Sequence, residues 1–285
     1  GGSNLSINAG SLMVLDSTTL DGGLSITGGN VTLNGVVNGV ASGWLDIYSG
    51  SLSLNATTDI TSFGLYGGTV SGVGGLNVQT YTQAGGTWSQ VDTNLPEFIA
   101  NDFSLSGGTF IRATGGDGLV ATPYQLTDIY GVQGMGSVGM LGNAYVLSND
   151  INATGTVNWN LGQGFSPIGN GLSTFTGSFD GMGHTISNLV INRPGTNYVG
   201  LFGYGSGSTI SNIGMVGGSV TGGSWTGGLI GQNSGIIHNA YATGAVTGFV
   251  RAGGLVGENS NGANIINAYA SGAVTGNNEV GGLAG

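Results

Sequence analysis

The chain has 285 residues, of which 62 are Gly and none is Cys; only 6% are charged, with 13 carboxylates against Arg112, Arg193 and Arg251 and no Lys. That balance excludes disulfide stapling and thiolate metal sites. With net charge −10 and no cluster of Lys and Arg to hold phosphate, it speaks against nucleic acid as a partner, and no apolar run reaches the roughly 18 residues that a membrane-crossing helix needs, so membrane insertion is not expected.

From the N-terminus, one unit recurs, in which two alternating apolar positions are followed by a glycine corner and another apolar residue: Leu5/Ile7 with Leu12, Leu24/Ile26 with Val31, Leu45/Ile47 with Leu52, Phe63/Leu65 with Val70, and Phe103/Leu105 with Phe110. A weaker copy has Tyr81 and Gln83 before Trp88, and the last landmark recurs at spacings of 19, 21, 18, 18 and 22 residues. Alternation is the signature of strands, and the separators "AGS", "TGGN", "SGS" and "GGT" supply the positive φ of tight corners. Two or three short strands per roughly twenty residues predict coils of a parallel β-helix over 1–118, each using its neighbours as the other side of its packing. Helices are not expected, because glycine at this density penalises almost every turn.

Residues 119–176 break that rhythm and read as an irregular, loop-decorated transition. Trp159, Phe165 and Phe175 stand there between turn residues, and loops on a rigid scaffold tend to carry function, so these three are the candidate ligand contacts. "DINATG" from Asp150 places oxygen donors as a calcium loop does, yet its twelfth position is Leu161 where a bidentate Glu is required; no metal is expected.

From 177 to 285 the repeat lengthens to 24–28 residues. The Leu of a G-L-x-G element falls at Leu201, Leu229, Leu255 and Leu283; Ile-x-Asn runs in phase at Ile186/Asn188, Ile210/Asn212, Ile237/Asn239 and Ile265/Asn267; and Val220, Val246 and Val274 each precede Thr-Gly in step. The four Ile are expected to stack as an interior ladder. The four Asn should form a second ladder on the same face or at its corner, each amide donating to the next. "FDGMGH" sets Asp180 and His184 four residues apart; a turn followed by a strand with His184 outward explains this better than an acid–base pair. Acids one period apart, such as Asp21 and Asp46, fall in different local registers, so no paired carboxylates are expected to do glycosidase chemistry.

The G-L-x-G elements with "NAYATGAVTG" and "NAYASGAVTG", preceded by "FTGSFDGMGHTISNLVINRP", resemble the GLUG-repeat portions of large bacterial exoproteins of the filamentous-haemagglutinin type. The resemblance implies a right-handed, single-stranded parallel β-helix, here of roughly ten or eleven coils in one continuous solenoid. It also implies an adhesive shaft, secreted or held at a Gram-negative outer surface through an outer-membrane secretion partner. The expected partners are surface glycans or proteins of a host or a neighbouring cell, bound by many weak contacts, with end-to-end self-association as a further mode. No cofactor and no catalytic residue is expected. A self-assembling extracellular fibre module and a carbohydrate-active β-helix enzyme are the alternatives. Because the sequence opens and closes inside repeats, it reads as a segment of a longer chain.

Overall fold

A computed structural model describes residues 5–8, 12–20, 22–39, 42–260 and 262–285; the "AGS" corner at 9–11 and Asp21 lie outside them. The architecture is all-β, and its strand-to-strand pairings are parallel. Two isolated antiparallel bridges, Leu119 with Thr122 and Gly164 with Ile191, stand apart from these. The chain forms two compact units, 1–114 and 115–285.

In the first unit each strand lies beside the strand one repeat away. Leu24, Leu45, Phe63, Tyr81 and Phe103 pair in succession, as do Val31, Leu52, Val70, Trp88 and Phe110. These ten side chains are all at most 1% exposed, so the twenty-residue period is what brings apolar residues into register inside the unit. One landmark shifts: Met13 rather than Leu12 pairs with Val31, because the connection between the first two strands does not keep the later spacing. The interior grows more aromatic toward residue 110. Tyr81 stacks between Phe63 and Phe103 at 5.6 and 4.9 Å, and Trp88 meets Phe63 edge-on at 5.6 Å. Edge-to-face and offset-stacked geometries follow from the ring quadrupole and add to plain area burial.

The corner between the two columns is a line of glycines with positive φ: Gly29, Gly50, Gly68, Gly86 and Gly108. A methyl group at Gly68 would stand 2.5 Å from the carbonyl oxygen of Gly50, so both the left-handed conformation and the close approach of neighbouring backbones demand the absence of Cβ. Polar side chains enter the interior near the unit's last repeats. Arg112 donates to Gln90 Oε1 at 2.8 Å and to the Pro96 carbonyl at 2.5 Å, with Phe98 beneath its guanidinium. Gln90 in turn donates to the carbonyls of Gly72 and Gly74. This satisfies groups whose burial would otherwise cost several kcal/mol.

The second unit absorbs the irregular segment. Strands Tyr124–Leu126 and Ala144–Leu147 pair with each other and then with Ser178–Asp180, which pairs with the long strand Phe202–Val216. That strand pairs with Ile230–Ala242, and Ile230–Ala242 with Val256–Asn259 and Asn264–Ala270. Residues 119–176 therefore supply rungs of the same nine-stranded sheet as well as loops. The short helix Ile129–Gly134 begins at Asp128, whose Oδ1 accepts from the Gly131 amide at 2.8 Å, a side-chain cap for an otherwise orphaned donor. Two further sheets complete the repeats: Val190–Asn192, Ser219–Thr221, Ala245–Thr247 and Val274–Thr275 in one, and Thr226–Gly227, Val250–Gly253 and Asn278–Gly281 in the other. In G-L-x-G, Leu201, Leu229 and Leu255 are wholly buried. The second glycine turns inward between backbones: a methyl at Gly231 would lie 2.6 Å from both the Trp225 carbonyl oxygen and the Val199 nitrogen.

Candidate functional site

The repeat's most regular surface feature is a pair of corner columns built from residues other than glycine. Asn212, Asn239 and Asn267 share a left-handed backbone, with φ of 52°, 52° and 51°. That conformation is unfavourable for most side chains, but Asn adopts it more readily. Their amides run as a chain: Asn267 Nδ2 donates to Asn239 Oδ1 at 3.3 Å, Asn239 to Asn212 at 2.9 Å, and Asn212 to Asp180 Oδ1 at 2.9 Å. The corner turns the three side chains outward, with Asn239 and Asn267 exposed, because a left-handed residue between Ile and the next strand cancels the alternation that would have kept them on the inner face.

Asn188 stands outside this ladder, and Ile186 outside the Ile column. The column beneath Ile210, Ile237 and Ile265 is completed by Phe179, whereas Ile186 pairs with Ile151 and Met215. Residues 178–187 form two short strands, Ser178–Asp180 and Thr185–Ser187, separated by a turn, and both lie against Phe202–Val216. The "ISN" at 186–188 consequently sits one corner further along the repeat. "FDG" takes the place of Ile-x-Asn, and the carboxylate of Asp180 ends the ladder as an acceptor. Asn188 also has positive φ, 60°, but it is its backbone N–H that bonds, donating to the Val216 carbonyl at 2.8 Å. Ile186, Ile210 and Ile237 are buried, and Ile265 is partly exposed on the last repeat.

The second corner column escaped the sequence reading. Tyr198, Trp225, Arg251 and Glu279 occupy equivalent positions, set by the pairing of Val199 with Thr226, Thr226 with Ala252 and Ala252 with Val280, and all four have φ between 52° and 59°. Tyr198 stacks on Trp225 at 4.7 Å and 3°, and the Arg251 guanidinium lies over the far side of the indole at 5.9 Å. Arg251 also bonds Glu279 at 2.5 Å and Glu258 at 2.8 Å; these carboxylates hold its pKa above the ordinary arginine value. The signal lay in the residue two before each G-G-L or G-L, but the four side chains share no chemistry that a sequence pattern would reveal.

Trp159, Phe165 and Phe175 are not surface contacts. Each is at most 1% exposed. Trp159 packs between Tyr130 and Phe165, and Phe175 between Tyr145 and Phe202. The irregular backbone around them needs large side chains to fill an interior that no regular strand fills. The segment's exposed apolar residues are small and aliphatic: Leu161 is 93% and Leu172 99% exposed. Arg193 ties down the loop that carries Leu161, donating to the carbonyls of Phe165 and Gly164, to Ser166 Oγ and to Gln163 Oε1, while burial lowers its pKa.

Asp180 and His184 do not meet. Asp180 closes its turn by accepting from the Met182 amide at 2.8 Å. His184 Nδ1 lies 3.3 Å from Asp150 Oδ1, whose carboxyl is kept below the usual range first by the Thr185 amide and then by His184. Among the described residues, no three His, Cys, Asp or Glu side chains gather as a metal site.

The family model described as "The GLUG motif" matches residues 222–247 and 250–275, which span the second corner column, the G-L-x-G turn and the Asn ladder of two successive repeats. Over 149 residues, half of this chain, the sequence is 38% identical to Halomucin from Haloquadratum walsbyi, and this stretch covers 2% of that protein. Over 129 residues, 44% of the chain, it is 31% identical to a Gly-rich membrane protein from Evansella cellulosilytica, of which it covers 15%. The chain thus spans a small fraction of the relatives it matches. No solved structure matches it.

Proposed function

We propose that the chain is a structural segment of a surface-associated protein. In this reading the repeats wind as a right-handed, single-stranded parallel β-helix, the form expected of a filamentous-haemagglutinin-like shaft, and extend a rod whose loops make weak adhesive contacts. The observation that carries the proposal is the register itself. Successive repeats pair strand on strand with the same residue types at the same rungs, so that a longer chain lengthens the rod without redesigning its interior. The relatives, a Halomucin and a Gly-rich membrane protein, fit a location at the cell boundary.

Adhesion rather than catalysis is favoured by chemistry. A chain with no Cys, no Lys and two His has few groups for nucleophilic or acid–base work, while bare aliphatic loop tips at Leu161 and Leu172 suit weak contacts multiplied by avidity. On intact source cells, an antibody raised against the full chain should bind without permeabilisation; labelling that appears only after permeabilisation would refute surface association. Beads coated with the full chain should adhere to those cells, and Leu161→Asn with Leu172→Asn should reduce bead adhesion severalfold; unchanged adhesion would move the contact away from these loops.

A further inference from the structure

Three Asn-x-Thr triplets fall on described residues: Asn30-Val31-Thr32, Asn55-Ala56-Thr57 and Asn152-Ala153-Thr154; a fourth acceptor triplet begins at Asn4, outside them. The triplet is the acceptor sequence for N-linked glycans, and in a chain this rich in Asn, Ser and Thr it arises readily by chance. Geometry separates the three. Asn30 and Thr32 lie in one extended strand, Gly23–Leu33, where residues two apart are about 6.6 Å apart along the strand, and the Asn30 oxygen is bonded instead by Ser51 Oγ at 2.7 Å. Asn55 is engaged at both ends of its amide: Nδ2 donates to Asn34 Oδ1 at 2.9 Å and Oδ1 accepts from Ser53 Oγ at 3.1 Å.

Asn152 differs on each count. It ends the short strand Ile151–Asn152, is exposed, and is followed by a turn. Thr154 folds back onto it, its amide donating to Asn152 Oδ1 at 3.0 Å and its hydroxyl to the same oxygen at 2.6 Å. Asn152 Nδ2 makes no hydrogen bond among the described residues. The turn is anchored from below by buried Ala153, whose amide donates to the Ser187 carbonyl at 2.8 Å. Two donors on the oxygen draw electron density from the nitrogen and make its N–H more acidic, on a residue that is itself exposed.

We propose that Asn152 is an N-glycosylation site, receiving an oligosaccharide from a lipid-pyrophosphate-linked donor. The Asn152 Nδ2–C1 bond forms as the bond from C1 to the pyrophosphate oxygen breaks; the lipid pyrophosphate leaves with the electron pair, and Nδ2 releases one proton to the transferase's base. The proposal rests on the surface reading above, because this transfer occurs on chains that leave the cytoplasm.

The test is to secrete the full chain from a host that performs N-glycosylation and to map glycopeptides by mass spectrometry before and after enzymatic glycan release. Expected is occupancy at Asn152 at least tenfold above that at Asn30 or Asn55, abolished in Asn152→Gln and Thr154→Ala and retained in Thr154→Ser. An unmodified Asn152, or occupancy no greater than at the other two, overturns the proposal. The surface reading fails separately, through the labelling of intact source cells.

Discussion

The two units solve one problem, how a chain turns a corner every few residues while its neighbours stack tightly, by opposite means. In residues 1–114 the corner is Gly29, Gly50, Gly68, Gly86 and Gly108, and the backbone above leaves no room for a side chain. In the later repeats of the second unit the corners are Asn212, Asn239 and Asn267, and Tyr198, Trp225, Arg251 and Glu279, in the same left-handed region. There the side chains point outward and recover part of the conformational cost through amide hydrogen bonds, ring stacking and ion pairs along the column. Their interiors differ as well. Large aromatics fill the later repeats of the first unit and residues 145–202 of the second, whereas Ala240, Ala242 and Ala252 line the second unit's last repeats. A small cavity no larger than one water remains there among Leu189, Met215, Val220 and Val246. A corner without Cβ lets backbones approach most closely; a corner with a side chain ties repeats together and places chemistry on the outside.

The largest effect should come from removing the first solution. Gly68→Ala adds a methyl 2.5 Å from a backbone oxygen at φ 71°, combining left-handed strain with overpacking. We expect a loss of about 3 kcal/mol or more, read as a lower denaturant midpoint by tryptophan fluorescence. A loss below about 1 kcal/mol would mean that the corner relaxes freely and that glycine there is a matter of composition.

The Asn ladder should cost less to break and should separate its two contributions. Asn239→Ala keeps the strained φ while removing one donor and one acceptor from the ladder, and is expected to destabilise by about 1–2 kcal/mol. Asn239→Gly relieves the strain while losing the same bonds, so it should cost about 1 kcal/mol less than the Ala variant. Equal melting temperatures for the two variants would show that backbone strain plays no part.

The smallest effect concerns Asp46 in the first unit, whose pKa is raised first by burial and is only partly restored by the Tyr48 hydroxyl. A carboxyl that holds its proton more tightly in the folded state than in the unfolded one weakens the fold at neutral pH. That penalty disappears as the pH falls through the folded-state value. Asp46→Asn should therefore raise the melting temperature slightly at pH 7 and lose its advantage in acid. A gain that persists unchanged at pH 3 would place its origin elsewhere than in the carboxylate charge.

Much of this was legible in the sequence, because a repeat writes the same physical requirement several times. Alternating apolar residues at a period of about twenty predict which side chains share a column. The in-phase Ile210, Ile237 and Ile265, with Asn212, Asn239 and Asn267, take consecutive places in two such columns. Depth and direction were not legible. Trp159, Phe165 and Phe175 stand between turn residues, and only the packing of 119–176 against the later strands sends them inward. Ile186 and Asn188 carry the right letters at the right spacing, yet a turn at 181–184 moves them one corner along. Tyr198, Trp225, Arg251 and Glu279 share a position without sharing a chemistry. Period is a local property, set by residue type and chain length. Which face a residue meets depends on the sum of every corner before it, and that sum exists only once the repeats have stacked.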